Sequence, residues 1–136
     1  MKYLVDVNVL SEGTKSKPAP AALEWLVENR GLIAINPIIL GELEFGIQSL
    51  PPGRHKNQLR QWLAGSASAL PVLEIDANTA LIWATVLTEL KRKGRTMPVN
   101  DSLIAATARQ HGLTVATRNV DDYRYAGVTV VNPFEQ

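Results

Sequence analysis

The sequence predicts an α/β protein, a three-layer α/β/α sandwich in which helices cover both faces of a mostly parallel sheet of about five strands. Short apolar segments alternate with longer segments of helical periodicity along the chain. The apolar segments are hydrophobic throughout, which is typical of parallel strands buried on both faces. The 136 residues, 46% of them hydrophobic, suffice for one core, so we expect a single domain over residues 1–136.

The first half of the chain contains two predicted strands and three predicted helices. Apolar runs predict the strands, and Asp6 follows the first of them. Helical spacing of apolar residues predicts the helices, and Asn36-Pro37 supplies a cap and a proline at the first position of the second one. In chain order, the elements are strand 2–5, helix 19–30, strand 32–35, helix 37–49 and helix 54–63.

The second half repeats this alternation. An apolar run predicts a strand over 72–75, and Asp76 is the expected N-cap of a long helix that ends in a basic run before Gly94. Asn100 or Asp101 is expected to open the next helix, which Gly112 terminates. Two further strands follow, at 113–117 and 128–131.

The composition excludes several kinds of site. The chain has no cysteine, and its two histidines are far apart, so thiolate zinc sites, disulfides and cysteine nucleophiles are ruled out. A net charge of +1 means that any contact with nucleic acid must come from a local patch. Neither a signal peptide nor a membrane span is predicted, so we expect a cytoplasmic protein.

Acidic residues fall where ligands bind in open parallel sheets, at the carboxyl ends of the strands. Asp6 ends the first strand, and Asp121-Asp122 follow the fourth. Asp101 begins a helix that runs back along the sheet, and Glu42 borders the apolar stripe of its own helix. Four carboxylates can therefore converge at one edge of the sheet.

Such a cluster is unfavourable without a cation, because like charges at close range repel one another. Carboxylate oxygens without thiolates suit Mg²⁺ or Mn²⁺, which can activate water against a phosphodiester. Each acid also has a structural interpretation: Asp101 as a helix cap, Asp121-Asp122 as turn residues, and Glu42 as a surface charge like Glu44. Asp6 has the fewest structural reasons to follow an apolar strand.

Four motifs in one order resemble the PIN-domain ribonuclease toxins of type II toxin–antitoxin systems, and within them the VapC type with its FitB-like members. The resemblance extends over nearly the whole chain, through Asn132-Pro133-Phe134. The motifs are YLVDVN at 3–8, GELEFG at 41–46, MPVNDSLIAATA at 97–108 and TRNVDDY at 117–123.

The resemblance implies a PIN-like fold and assigns roles residue by residue. It matches Asp6, Glu42, Asp101 and Asp122 to the four carboxylates of the family, and it implies that three residues support them by hydrogen bonding: Asn8, Thr117 and Asn119. Two positions depart from the usual family pattern. Val7 replaces a common Ser or Thr, and Tyr123 replaces Phe, with its hydroxyl expected to face solvent.

The mechanism that we derive from this match is metal-dependent endoribonuclease chemistry with Mg²⁺ or Mn²⁺. Asp6 and Asp101 bind the principal ion, Asp122 completes or bridges the site, and Glu42 binds a second ion or orients the attacking water. The resemblance also implies a homodimer or larger assembly and a small antitoxin partner that blocks the active site. Basic residues that can contact the RNA are Arg92, Arg95 and Arg118.

The basic run at 91–95 can simply complement a helix C-terminus instead of binding RNA. Three other functions also stay open at this stage. A receiver domain also has an acidic Mg²⁺ pocket, but here Val7 follows Asp6 where a second acid is expected. A catalytically silent module that binds RNA or protein and a nuclease that cuts DNA are the remaining alternatives.

Overall fold

Parallel pairing of four short strands forms the centre of the computed structural model, which describes residues 1–135. The strands are β1 (Tyr3–Val5), β2 (Ile33–Ala34), β3 (Thr114–Ala116) and β4 (Val130–Val131). Their order across the sheet is β2-β1-β3-β4, and every pairing is parallel. Since β1 and β3 lie side by side in the middle, their carboxyl ends meet at one edge.

The predicted strand at 72–75 is present only as one bridge. Val72 pairs with Ile35 in parallel beyond β2, held by hydrogen bonds of 3.0 Å from the Ile35 amide to Pro71 and 2.8 Å from the Leu73 amide to Ile35. The sheet therefore has four strands rather than about five within residues 1–135. The edge position explains the difference, because only one side of this segment has a partner.

Helices fill the intervals that periodicity predicts, with ends shifted by a few residues. The bounds are α1 (Val7–Leu10), α2 (Pro20–Glu28), α3 (Pro37–Gln48), α4 (Arg54–Ala64), α5 (Ala77–Arg92) and α6 (Val99–His111). Three 3₁₀ turns lie at Ser11–Thr14, Ala67–Ala69 and Val120–Tyr123. The short α1, which the sequence analysis missed, begins directly after the carboxyl end of β1.

Side-chain caps determine where two of the helices begin. The Asn36 side chain accepts a hydrogen bond of 3.0 Å from the Ile39 amide at the start of α3, and Asp76 forms a capping box with Thr79 at the start of α5. Both predictions are confirmed. The prediction for α6 is wrong, because Pro98 precedes the helix and Asp101 lies inside its first turn.

Small residues let α6 approach the sheet closely. Ala105, Ala106 and Ala108 are fully buried, and α6 packs against both central strands. On its other side α6 packs along α5, where the Trp83 indole donates a hydrogen bond of 2.8 Å to Ser102. The predicted three-layer α/β/α sandwich is confirmed. Within residues 1–135, no helix has the length and apolar character to cross a membrane.

A buried acid, Glu12, fixes the segment that connects α1 to α2. Its side chain is 3% exposed, and it accepts a hydrogen bond of 2.8 Å from the Ala19 amide. The Lys15 ammonium lies 2.7 Å from the other carboxylate oxygen. The hydrogen bond from Lys15 and then that from Ala19 lower the pKa of Glu12 below its usual range. Its charge therefore stabilises the fold.

We expect Glu12→Gln to lower the free energy of unfolding at pH 7 by about 1–3 kcal/mol, the usual contribution of a buried hydrogen-bonded charge. The pKa of Glu12 is lower in the folded chain than its ordinary value of 4.5. The charge of Glu12 therefore stabilises the fold fully above about pH 4.5, and this stabilisation is lost as the pH falls through the lowered pKa of the folded chain. Urea unfolding of both proteins between pH 7 and pH 3 should show the difference shrinking in acid. Glu24→Gln, at an exposed position of α2, is the control. A difference in the free energy of unfolding that does not depend on pH would contradict a stabilising role for the charge of Glu12.

Candidate active site

Asp6 and Thr117 lie next to each other at the carboxyl edge of the sheet. Parallel pairing of Val5 with Ala116 brings the residue after each strand to the same level. The Thr117 hydroxyl donates a hydrogen bond of 2.9 Å to Asp6 Oδ2, and the Val7 amide donates one of 2.8 Å to Asp6 Oδ1. Asp6 is 4% exposed and is also the N-cap of α1. Both of its oxygens are therefore held in place.

Polar groups surround this pair. The Asn8 amide donates to Thr117 Oγ1 at 3.2 Å and to Asp6 Oδ2 at 3.4 Å, while its oxygen accepts from the Arg118 backbone at 3.0 Å. The Asn119 backbone amide donates to Thr117 Oγ1 at 3.0 Å. The Thr117 hydroxyl thus uses its one donor and both acceptor positions. Asn8 and Thr117 contact Asp6 directly, and Asn119 acts through Thr117.

The structure distinguishes Glu42 from Glu44, which the spacing of residues alone could not. Glu44 forms an ion pair with Arg60 and a hydrogen bond of 3.0 Å with Gln48, away from the cluster. Glu42 is half-buried and close enough to Asp6 and Asp101 to feel their charges. Its Oε1 atom is buried and has no hydrogen-bond partner among the described residues.

Asp101 and Asp122 complete the set of four acids. Asp101 is half-buried in the first turn of α6, where the helix dipole favours a negative charge. Asp122 is exposed in the turn after β3, and its charge acts on both Asp6 and Asp101. The neighbouring Asp121 pairs with Arg124 instead.

Tyr123 corrects one prediction. Its hydroxyl was expected to face solvent, yet the residue is fully buried, and the hydroxyl lies 3.5 Å from Asp101 Oδ1. The 3₁₀ turn at Val120–Tyr123 directs the side chain inward under the acids. Only the neighbouring DD pair signalled a turn here, and a turn alone does not reveal the direction of the next side chain.

Burial and mutual repulsion disfavour the charges of the cluster. Burial, followed by the charges of Asp6 and Asp101, raises the pKa of Glu42 to about 7. Burial, followed by Asp6 and Asp122, raises the pKa of Asp101 to about 6. Burial raises the pKa of Asp6 as well, although hydrogen bonds from Thr117, Val7 and Tyr123 oppose the shift.

The chemistry of these donors suits a hard divalent cation. All are carboxylate oxygens, and the buried Glu42 Oε1 lacks the partner that a polar atom in such a position requires. Within residues 1–135, no three acidic or histidine side chains lie close enough together to share one ion. A shared ion would therefore require these side chains to come closer than they lie here.

Open grooves border the acids. One, of about 490 Å³, includes Glu42, Phe45 and Asn100, and a smaller one of about 270 Å³ also includes Glu42. Another, of about 520 Å³, includes Asp122 and Arg118. The Arg118 guanidinium lies 4.1 Å from the centre of the Phe134 ring.

The remaining basic candidates lie at the end of α5. Arg95 stacks on Tyr125 at 4.2 Å, while Arg92 is exposed in the last turn of the helix, near Glu89. Of the three predicted RNA-contacting residues, only Arg118 lines a groove together with one of the four acids.

The fold and the acidic edge define a class, the parallel α/β proteins with a cleft lined by carboxylates. A family model described as "PIN domain" matches residues 3–128. The chain therefore belongs to the PIN-domain family, as the four motifs predicted.

Known proteins resemble the chain over nearly its whole length. It is 35% identical over 138 residues to Toxin FitB of Neisseria gonorrhoeae, covering 96% of this chain and 97% of that protein. It is 32% identical over 136 residues to VapC ribonuclease Y4jK of Sinorhizobium fredii, covering 97% of each. A solved structure of FitAB bound to a DNA fragment matches with a TM-score of 0.92 at 32% identity, covering 98% of this chain and 96% of that one.

We expect Asp101→Asn to raise the free energy of unfolding in EDTA at pH 7.5 by about 1 kcal/mol. The substitution removes a charge that burial and two neighbouring acids disfavour. The gain in stability is reduced by the loss of the favourable interaction between this charge and the helix dipole. Thermal unfolding measures the change. Asp121→Asn is the matched control, because that carboxylate is exposed and paired with Arg124. Equal or lower stability of Asp101→Asn would mean that repulsion at this edge is negligible.

Proposed function

We propose that this protein is an endoribonuclease that depends on Mg²⁺ or Mn²⁺ and hydrolyses phosphodiester bonds in RNA. The observation that carries the proposal is the unpartnered, buried Oε1 of Glu42 beside acids that raise its pKa. A structural role would give this atom a donor, whereas a metal or a water oriented for attack would satisfy it. The ribonuclease name of the Sinorhizobium relative supports RNA as the substrate.

The donor set suggests how an ion would be held. Asp6 and Asp101 would bind the principal ion, Asp122 would complete the site, and Glu42 would bind a second ion or orient the attacking water. When bound, the ion lowers the pKa of a water molecule and neutralises charge that develops on the phosphate.

The remaining work falls to side chains of the chain itself. Thr117 and the Val7 amide fix both oxygens of Asp6, so this carboxylate is already ordered before an ion binds. Asn8 ties Thr117 to the backbone of Arg118.

We infer that Arg118 contacts the RNA next to the acids. Its guanidinium is exposed and stacked on Phe134, which holds it flat at the edge of the groove that includes Asp122. Uncompensated acids in that groove repel phosphates, so a nucleobase stacked on the guanidinium is the ligand that fits. Arg92 and Arg95 are more distant contacts with the phosphate backbone.

The biological role that we propose is that of the toxin in a toxin–antitoxin pair. The name of the Neisseria relative and the likeness to a FitAB complex support this role. Exposed apolar residues also support association with a second copy or an antitoxin. Phe45 is 74% exposed and Val99 is 62% exposed, and Phe45 lines the groove that includes Glu42.

We expect the purified protein to cleave total RNA or tRNA with Mg²⁺ or Mn²⁺ and to lose this activity in EDTA. Asp6→Asn and Asp101→Asn should fall to the level seen in EDTA, and Glu42→Gln should lose about 100-fold or more if it activates water. Gel assays with single-stranded DNA as a second substrate measure all of these effects. Asp121→Asn should retain activity, because its carboxylate pairs with Arg124.

Each other outcome selects a different function. Cleavage that survives EDTA, or that Asp6→Asn and Asp101→Asn retain at the level of the unmodified protein, rejects the carboxylate–metal mechanism. Cleavage of DNA in preference to RNA identifies a deoxyribonuclease. Tight RNA binding without cleavage under any metal condition favours a catalytically silent RNA-binding module.

We expect Arg118→Ala to weaken binding of single-stranded RNA about 5-fold or more, since stacking of one base contributes about 1–3 kcal/mol. Fluorescence anisotropy in EDTA measures binding apart from cleavage. Arg124→Ala removes the same charge from an exposed residue that pairs with Asp121, and it should change affinity less. Equal losses in the two variants would indicate general charge attraction rather than a stacking contact.

A further inference from the structure

The Tyr123 hydroxyl lies inside the acidic cluster. The residue has no exposed surface, and its oxygen is 3.5 Å from Asp101 Oδ1. The charge of Asp6 also acts on this hydroxyl. One neutral donor therefore lies beside Asp101, among carboxylates that repel one another.

Packing alone does not explain the hydroxyl. The ring belongs to the apolar core, and a phenylalanine ring would fill the same space. A buried hydroxyl without a partner costs free energy. Among residues 1–135, the one hydrogen-bond acceptor described for this hydroxyl is Asp101, so its favourable role lies in that contact.

The hydroxyl is a neutral donor at neutral pH, because a phenol ordinarily ionises only at about pH 10. It offers one proton, which the Asp101 carboxylate can accept.

We propose that Tyr123 is a positioning residue that orients the carboxylate of Asp101 for a divalent cation. It acts through this acid and has no contact of its own with RNA. By holding one oxygen of Asp101, it leaves the other free to bind the ion. The inference rests on the proposed metal-dependent function and extends it to a residue outside the four acids.

The test uses Mn²⁺ as the probe and the isosteric variant Tyr123→Phe. We expect isothermal titration calorimetry of the full chain to show that the variant binds Mn²⁺ about 10-fold more weakly. This is the lower end of the usual loss in metal affinity when a hydrogen-bond partner of a metal ligand is removed. The variant should also recover ribonuclease activity when Mn²⁺ is raised about 10-fold. A loss due only to altered packing would not respond to the metal concentration.

Tyr125→Phe is the matched control. Tyr125 lies two residues further along, its ring stacks under Arg95, and its hydroxyl makes no described contact with the acids. Its Mn²⁺ affinity should stay within about twofold of the unmodified protein. Urea unfolding of both variants shows whether Tyr123→Phe retains the fold.

Two outcomes overturn the inference in different ways. Equal Mn²⁺ affinity of Tyr123→Phe and the unmodified protein shows that the hydroxyl does not position the ligands, while the proposed function stands. No Mn²⁺ binding by the unmodified protein removes the proposed metal function and this inference with it. If Tyr123→Phe is unstable, failure of high Mn²⁺ to restore its activity counts against a positioning role.

Discussion

The parallel pairing of β1 with β3 is the constraint on which the rest of the site depends. It joins segments more than a hundred residues apart and brings Asp6 and Thr117 to the same edge, where they share a hydrogen bond of 2.9 Å. A shift of one residue in this register would turn the side chain that follows the shifted strand toward the opposite face and separate the pair. The same pairing positions α1 and the turn that carries Tyr123, because each follows one of these strands.

The fold compensates the clustered charges unequally, and the differences follow from local structure. Asp6 receives hydrogen bonds from a backbone amide and a hydroxyl, and Asp101 lies in the first turn of a helix. Glu42 lies in the middle of its own helix, and its buried oxygen has no hydrogen-bond donor among the described residues. Burial and neighbouring acids raise both pKa values, to about 7 for Glu42 and to about 6 for Asp101, and much of the difference between them is the higher ordinary pKa of a glutamate, 4.5 against 3.8.

Patterns that depend on neighbours in the chain predicted most of the fold. Apolar runs and the caps at Asn36 and Asp76 needed only local spacing, whereas the four acids were assigned by the resemblance to a family. Features that depend on distant contacts were missed. The reduction of the predicted strand at 72–75 to one bridge depends on its edge position, and the inward direction of Tyr123 depends on a 3₁₀ turn. Spacing alone left Glu42 and Glu44 equal, and only the ion pair of Glu44 with Arg60 separates them in space. A single sequence does not encode these distances in any local pattern.

The site therefore combines a fixed part with an adjustable part. Asp6 is held at both oxygens within a network that includes Asn8, Thr117 and Asn119, whereas Glu42 has an unpartnered oxygen and Asp122 is exposed. No three acids among residues 1–135 lie close enough to share an ion, so under the proposed function the adjustable acids would have to move. Side chains without strong partners lose few contacts when they move, so the unpartnered oxygen of Glu42, which destabilises the fold, would also reduce the cost of binding a cation.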